Sequence, residues 1–143
     1  MNLSRTVIAW LPMPFIGIAN GALRQFFLLD YFNNFRAHQL STLSLIVFLS
    51  VYIAIVFKKL SITSSQGAWL TGLCWAMLTV LFELAMGRFF SHLTFTEMLA
   101  AYDLMSGNLW ALVPLALFGI PVAFYRLLQR WSSQVINLRQ YRH

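Results

Sequence analysis

The chain has 143 residues, of which 59% are hydrophobic and only 10% charged, with a net charge of +6 and a mean hydropathy of +0.70. Soluble domains carry about 25% charged and roughly 45–50% apolar residues, and a fold this small cannot hide so large an apolar excess from water. Disorder is excluded by the same excess, and a disulfide scaffold by the single cysteine, Cys74.

A helix that crosses the ~30 Å hydrocarbon core needs about 20 mostly apolar residues. Four stretches qualify: about 6–23, 40–57, 68–90 and 109–128. Their apolar runs are continuous and do not alternate with period two, so they read as helices and not as barrel strands. The expected fold is an all-α membrane protein. It is a single transmembrane domain over 1–143, a four-helix bundle with a short interfacial helix between the third and fourth spans.

In chain order, the first span follows Arg5 and contains Pro12 and Pro14. Met1 to Arg5 and the run ending Ala19-Asn20-Gly21 have the form of a secretory signal. The two prolines and the continuation to Leu23 favour a retained span. Arg24 to Gln39 is dense in aromatic residues and reads as an interfacial connection. The second span has no charge, and Lys58 to Gly67 is a polar hairpin rich in turn formers. The third span contains Glu83. Between Ser91 and Gly107, Thr94 and Glu97 have the spacing of a capping box, and Gly107 is a natural stop. Pro114 and Pro121 imply a bend in the fourth span. The tail, 129–143, places Trp131, Val135 and Leu138 on one stripe beside Arg130, Arg139 and Arg142. It reads as a basic amphipathic cytoplasmic helix attracted to anionic lipid.

Four spans put both termini on one side. That side carries Arg5, Lys58, Lys59, Arg126, Arg130, Arg139 and Arg142 and no acid. The other carries Arg24, Arg36 and Arg88 with all four acids. The positive-inside rule then puts both termini in the cytoplasm, in an inner (plasma) membrane. The basic residues flank spans and form no aromatic-interleaved patch, so the charge does not point to nucleic acid.

Ionisable residues inside a span are costly and are functional candidates by default. Glu83 lies about 22 Å along its span at ~1.5 Å per residue. Gly17, Asn20, Gly21 and Arg24 recur on one face of the first span, and Gly17-x-x-x-Gly21 is a close-approach spacing. Spans one and three are therefore expected to pack there, with Arg24 or Asn20 satisfying Glu83. That pairing is open to a structural, a ligand-binding and a proton-transfer reading. Gln39, Arg88, Tyr102, Asp103 and Asn108 complete the expected outer cluster, with Gln25, Arg36, His38, His92 and Trp110 around it. Tyr102 and Trp110 also suit interfacial anchoring. No spacing supports a metal set, and no Walker, GxGxxG, HExxH or CxxC motif occurs. No cofactor is expected.

Several pieces resemble a family of small, uncharacterised four-span bacterial integral membrane proteins. They are Asn20-Gly21-x-x-Arg24, Gln39-x-Ser41, Trp75-x-x-x-Thr79-x-x-Phe82-Glu83-x-x-x-Gly87-Arg88 and Tyr102-Asp103-x-x-x-Gly107-Asn108-x-Trp110. Phe82-Glu83-x-x-x-Gly87-Arg88 is the most specific of them. The resemblance implies the four-span fold and the polar cluster but supplies no substrate. Where this chain has Asn108 the family pattern carries Arg, so one outer positive charge is absent here. The functional expectation is a non-enzymatic membrane protein that packs against lipid, a further copy or a membrane partner. The alternative is a small transporter or channel-like protein that binds an ion or polar solute at the cluster. A cavity reaching Glu83 would favour the alternative, and a sealed Glu83–Arg24 pair the first.

Overall fold

The computed structural model describes residues 2–140, with side chains described for residues 2–134. Those residues form helices and connections without a strand. The helices are α1 (Leu3–Trp10), α2 (Pro12–Leu23), α3 (Leu29–Tyr31), α4 (Asn34–Phe57), α5 (Ser65–Phe89), α6 (Phe95–Ala100) and α7 (Leu112–Gln140). Among the described residues, four continuous stretches are long and apolar enough to cross a membrane: Leu3–Tyr31, Asn34–Leu60, Ser65–Phe89 and Leu112–Gln134.

The first of these is one helix with two irregularities. Pro12 opens α2 and has no N–H to offer Ile8, so Leu11 shares its own N–H between Val7 and Ile8. A π turn over Arg24–Leu28 then carries the helix on, closed by the Leu29 N–H on Arg24 O. The expected interfacial connection Arg24–Gln39 is therefore mostly helix. No Gly or Pro interrupts Arg24–Tyr31, and the break comes only at Phe32 and Asn33, where Asn33 caps α4 by accepting from Arg36 N at 2.9 Å.

Cross-links between helices define the topology. Trp75 Nε1 donates to Thr6 O at 2.9 Å, and Trp10 Nε1 to Thr79 Oγ1 at 3.0 Å. Both pairs are 69 residues apart, so α1 and α5 run parallel. Tyr52 OH donates to Ala9 O, and Asn20 bonds Ser41 and Ser44, so α1–α2 and α4 run antiparallel. Tyr125 OH on Thr63 O ties the middle of α7 to the residues just before α5. The core between these helices holds Trp75, Ile53, Leu117, Leu45, Leu49 and Val113.

α5 and α7 approach closely at Gly72. A Cβ there would lie 2.1 Å from Phe118 O, so only glycine lets α5 meet the α7 backbone. At Gly17 and Gly21 a Cβ would meet nothing within 4 Å. This corrects the expectation that those two glycines pack span one onto span three. The two helices do pack, about two to four turns nearer the N-terminal end of α1, through Thr6, Trp10, Trp75 and Thr79. Beyond that level they diverge.

Pro114 lies in the first turn of α7, where its missing N–H has no helical acceptor to lose, and Pro121 lies inside the helix. α7 continues through the expected tail as far as Gln140. Trp131 is exposed, while the side chains of Val135, Leu138 and Arg139, and all of Arg142, lie outside the described residues.

Candidate functional site

The space left where α2 and α5 diverge is a cavity of about 480 Å³, bounded by α2, α4, α5, α7 and the α5–α7 connection. Its floor is Trp10, held by its bond to Thr79 and packed edge-on against Phe82 with ring centroids 6.1 Å apart. Above the floor the walls are apolar: Met13, Leu45, Leu49, Phe82, Val113 and Leu117. The polar end is lined by Asn20, Arg24, His38, Ser41, Glu83 and Tyr102, with Trp110 between them.

The α5–α7 connection roofs this end. α5 stops where Leu93 N donates to Gly87 O at 3.0 Å and His92 takes a left-handed φ of 52°. α6 then starts from the expected capping box: Thr94 N donates to Glu97 Oε2 at 2.7 Å, and Glu97 N to Thr94 Oγ1 at 3.3 Å. Met98 of α6 seats on Gly87, where a Cβ would lie 2.8 Å from the Met98 sulfur. This docking brings Tyr102 down onto Glu83.

Glu83 Oε2 accepts two hydrogen bonds, from the Tyr102 hydroxyl and from Trp110 Nε1, the latter at 2.9 Å. Burial and the neighbouring carboxylate push the Tyr102 phenol well above its ordinary range, so it stays a donor. Trp110 in turn lies against the His38 ring, with centroids 5.6 Å apart and planes 30° from parallel. His38 Nδ1 and Arg24 Nη1 are 2.8 Å apart. A guanidinium only donates, so Nδ1 accepts and the ring hydrogen sits on Nε2.

The expected direct pairing of Glu83 with Arg24 or Asn20 is thus corrected. Arg24 turns to His38, and Asn20 is consumed by α4. Asn20 Nδ2 donates to Ser41 O and Oγ, both at 2.8 Å, and Asn20 Oδ1 accepts from Ser44 Oγ at 2.8 Å. The aromatic donors Tyr102 and Trp110 do what the cation was expected to do. A buried indole N–H needs an acceptor as much as a carboxylate needs donors, and that requirement was the sequence signal for Trp110.

Glu83 Oε1 takes no bond from the described residues. No side-chain N or O atom sealed from solvent lacks a partner among them. Oε1 is therefore accessible, on a residue that lines the cavity.

The other expected members play different parts. Gln39 ties α4 to the start of the fourth span, donating to Gly107 O and accepting from Leu109 N at 3.2 Å. Asp103 caps the short turn Leu104–Ser106 by accepting from Met105 N at 3.0 Å, and Asn108 Nδ2 donates to Ala100 O at 3.0 Å. Both shape the roof. Arg88 is exposed and outside the cavity lining. Among the described residues no three His, Cys, Asp or Glu gather at one point. His38 faces a guanidinium and an indole, not a hydroxyl, so it assembles no nucleophile–base pair.

Comparisons with protein-family models, curated proteins and solved structures return no match.

Proposed function

We propose that this chain is a non-enzymatic membrane protein that binds a small molecule in the cavity beside Glu83. The observation that carries the reading is the free oxygen of Glu83, held open to about 480 Å³ of unfilled space by two aromatic donors on its other oxygen. Small-molecule sites run from about 300 to 1,000 Å³, mostly apolar with a few convergent polar groups, and this cavity has that composition. It supports the solute-binding alternative over a sealed packing role.

The setting of the site in this reading is an inner (plasma) membrane, with both termini cytoplasmic and the Glu83 end outside. Seven of the ten basic residues on the terminal side support that orientation. Support for the bilayer comes from Phe15, Ile18, Val47, Val51, Ile55 and Met77, all more than half exposed on the spans. We also infer kinship with the small four-span bacterial family on the Phe82-Glu83-x-x-x-Gly87-Arg88 motif.

The test uses Gly21→Cys in a Cys74→Ala background, since a side chain at position 21 meets nothing within 4 Å. A charged methanethiosulfonate reagent should modify it in lipid-stripped micelles, because only a hydrated thiol ionises and reacts. No modification in those micelles overturns the cavity as a binding site. Ser64→Cys should react only in inverted vesicles, and reaction in intact cells reverses the orientation.

A further inference from the structure

The charges that the bundle leaves uncommitted in the cavity select a class of ligand. Arg24 spends one of its five N–H donors, on a neutral histidine nitrogen. Glu83 spends one oxygen, on two neutral donors. Neither charge neutralises the other; the His38 and Trp110 rings stand between them. A cation entering alone gains Glu83 but meets Arg24, and an anion entering alone meets Glu83. In a space walled by Leu45, Leu49, Phe82 and Val113 that repulsion is weakly screened. A molecule that carries both charges a few atoms apart satisfies both groups and brings no net charge into the apolar surroundings.

The walls add a second requirement. The uncommitted polar groups gather at one end, and the slot beneath them is apolar down to the floor, where Trp10 and Thr79 spend their polar atoms on each other. Gly17 and Gly21 border the slot with no neighbour across from them, and Ile18 between them is 54% exposed. A free zwitterion would leave that slot unfilled. We propose that the cavity holds a zwitterionic amphiphile. Its ammonium lies on Glu83 Oε1, its phosphate or carboxylate on Arg24, and its chain runs over Gly17 and Gly21 toward the bilayer. The proposal rests on the cavity being a binding site.

The experiment is native mass spectrometry of the full chain released from micelles, titrated with separate probes. They are a phosphatidylethanolamine, a phosphatidylglycerol, a long-chain quaternary ammonium, and glycerophosphoethanolamine, which is the zwitterion without chains. The phosphatidylethanolamine should bind at least tenfold more tightly than the other three. Arg24→Gln and Glu83→Gln should each weaken it about tenfold. Glu83→Gln keeps an acceptor for Tyr102 and Trp110, and Glu83→Gln protein should gain phosphatidylglycerol. Gly21→Leu, which fills the slot, should abolish every adduct at the site.

Equal binding of the first two lipids, unmoved by either charge variant yet blocked by Gly21→Leu, overturns the zwitterion and leaves the cavity. Glycerophosphoethanolamine binding as tightly as the lipid overturns the amphiphile. Adducts that persist unchanged in Gly21→Leu overturn the cavity reading itself.

Discussion

Tyr102→Phe tests the site at a single oxygen atom. The substitution keeps the ring and removes only the donor to Glu83 Oε2. A hydrogen bond to a charged group contributes about 1.5–3 kcal/mol. Here Trp110 still donates to the same oxygen and Oε1 keeps its access to the cavity, so the loss falls at the low end, about 1.5 kcal/mol. That is roughly a tenfold change in the folded-to-unfolded ratio, readable by circular dichroism during denaturation in mixed micelles. Repeating the substitution on Glu83→Leu protein, where the acceptor is already gone, should cost under about 0.5 kcal/mol. The coupling between positions 83 and 102 is then about 1 kcal/mol, and the double variant loses less than the two singles together. Strictly additive losses, or an effect of Tyr102→Phe below about 0.3 kcal/mol, would refute the shared-oxygen geometry.

Two glycine sites should respond in opposite senses: Gly72→Ala should cost about 2 kcal/mol or more by forcing α5 from Phe118 O, whereas Gly17→Ala should stabilise by up to about 1 kcal/mol; thermal unfolding in micelles reads both. Asn20→Ala should cost about 2–3 kcal/mol in the same assay, because it removes three hydrogen bonds between α2 and α4 at a buried position. The Thr94 backbone N–H and hydroxyl hold the Glu97 carboxyl below its usual range. Its folded value lies under the unfolded one, so the cap is intact above about pH 4.3 and is lost as pH falls through the folded value. The protection factors of the Thr94, Glu97 and Met98 amides, with the intrinsic pH dependence of exchange divided out, should therefore fall on acidification, and Glu97→Ala should remove that fall.

The four helices were legible because hydrophobic length is a property of the chain itself, needing no knowledge of neighbours. The capping box at Thr94 and Glu97 was legible for the same reason: both partners lie within one turn. The extension of the first helix to Tyr31 was not, because the aromatic density of Arg24–Gln39 suits a helix and an interfacial loop alike. The glycine reading failed on a more general point. Gly17-x-x-x-Gly21 and the lone Gly72 both permit close approach, but permission lies in the absent Cβ and the approach lies in the partner. Only Phe118 arriving from α7 tells which glycine is used.

The partner of Glu83 was misjudged for a related reason. Charge complementarity pointed to Arg24, the nearest cation at that depth, and ranked the aromatic donors below it. The packing reverses the order. Trp10 and Trp75 fasten α1 to α5 near one end, and the Asn20 bonds hold α2 against α4 at the other, so the first helix cannot follow α5 along its whole length. Arg24 leaves with α2 toward His38. The roof, seated by Met98 on Gly87, carries Tyr102 to the carboxylate while the turn just before α7 brings Trp110 to the same oxygen. The same divergence that separates the two charges opens the space between them. An unpaired cation and an unpaired carboxylate oxygen facing one cavity are therefore one consequence of where the first helix is tied, and Asn20 is the residue that ties it.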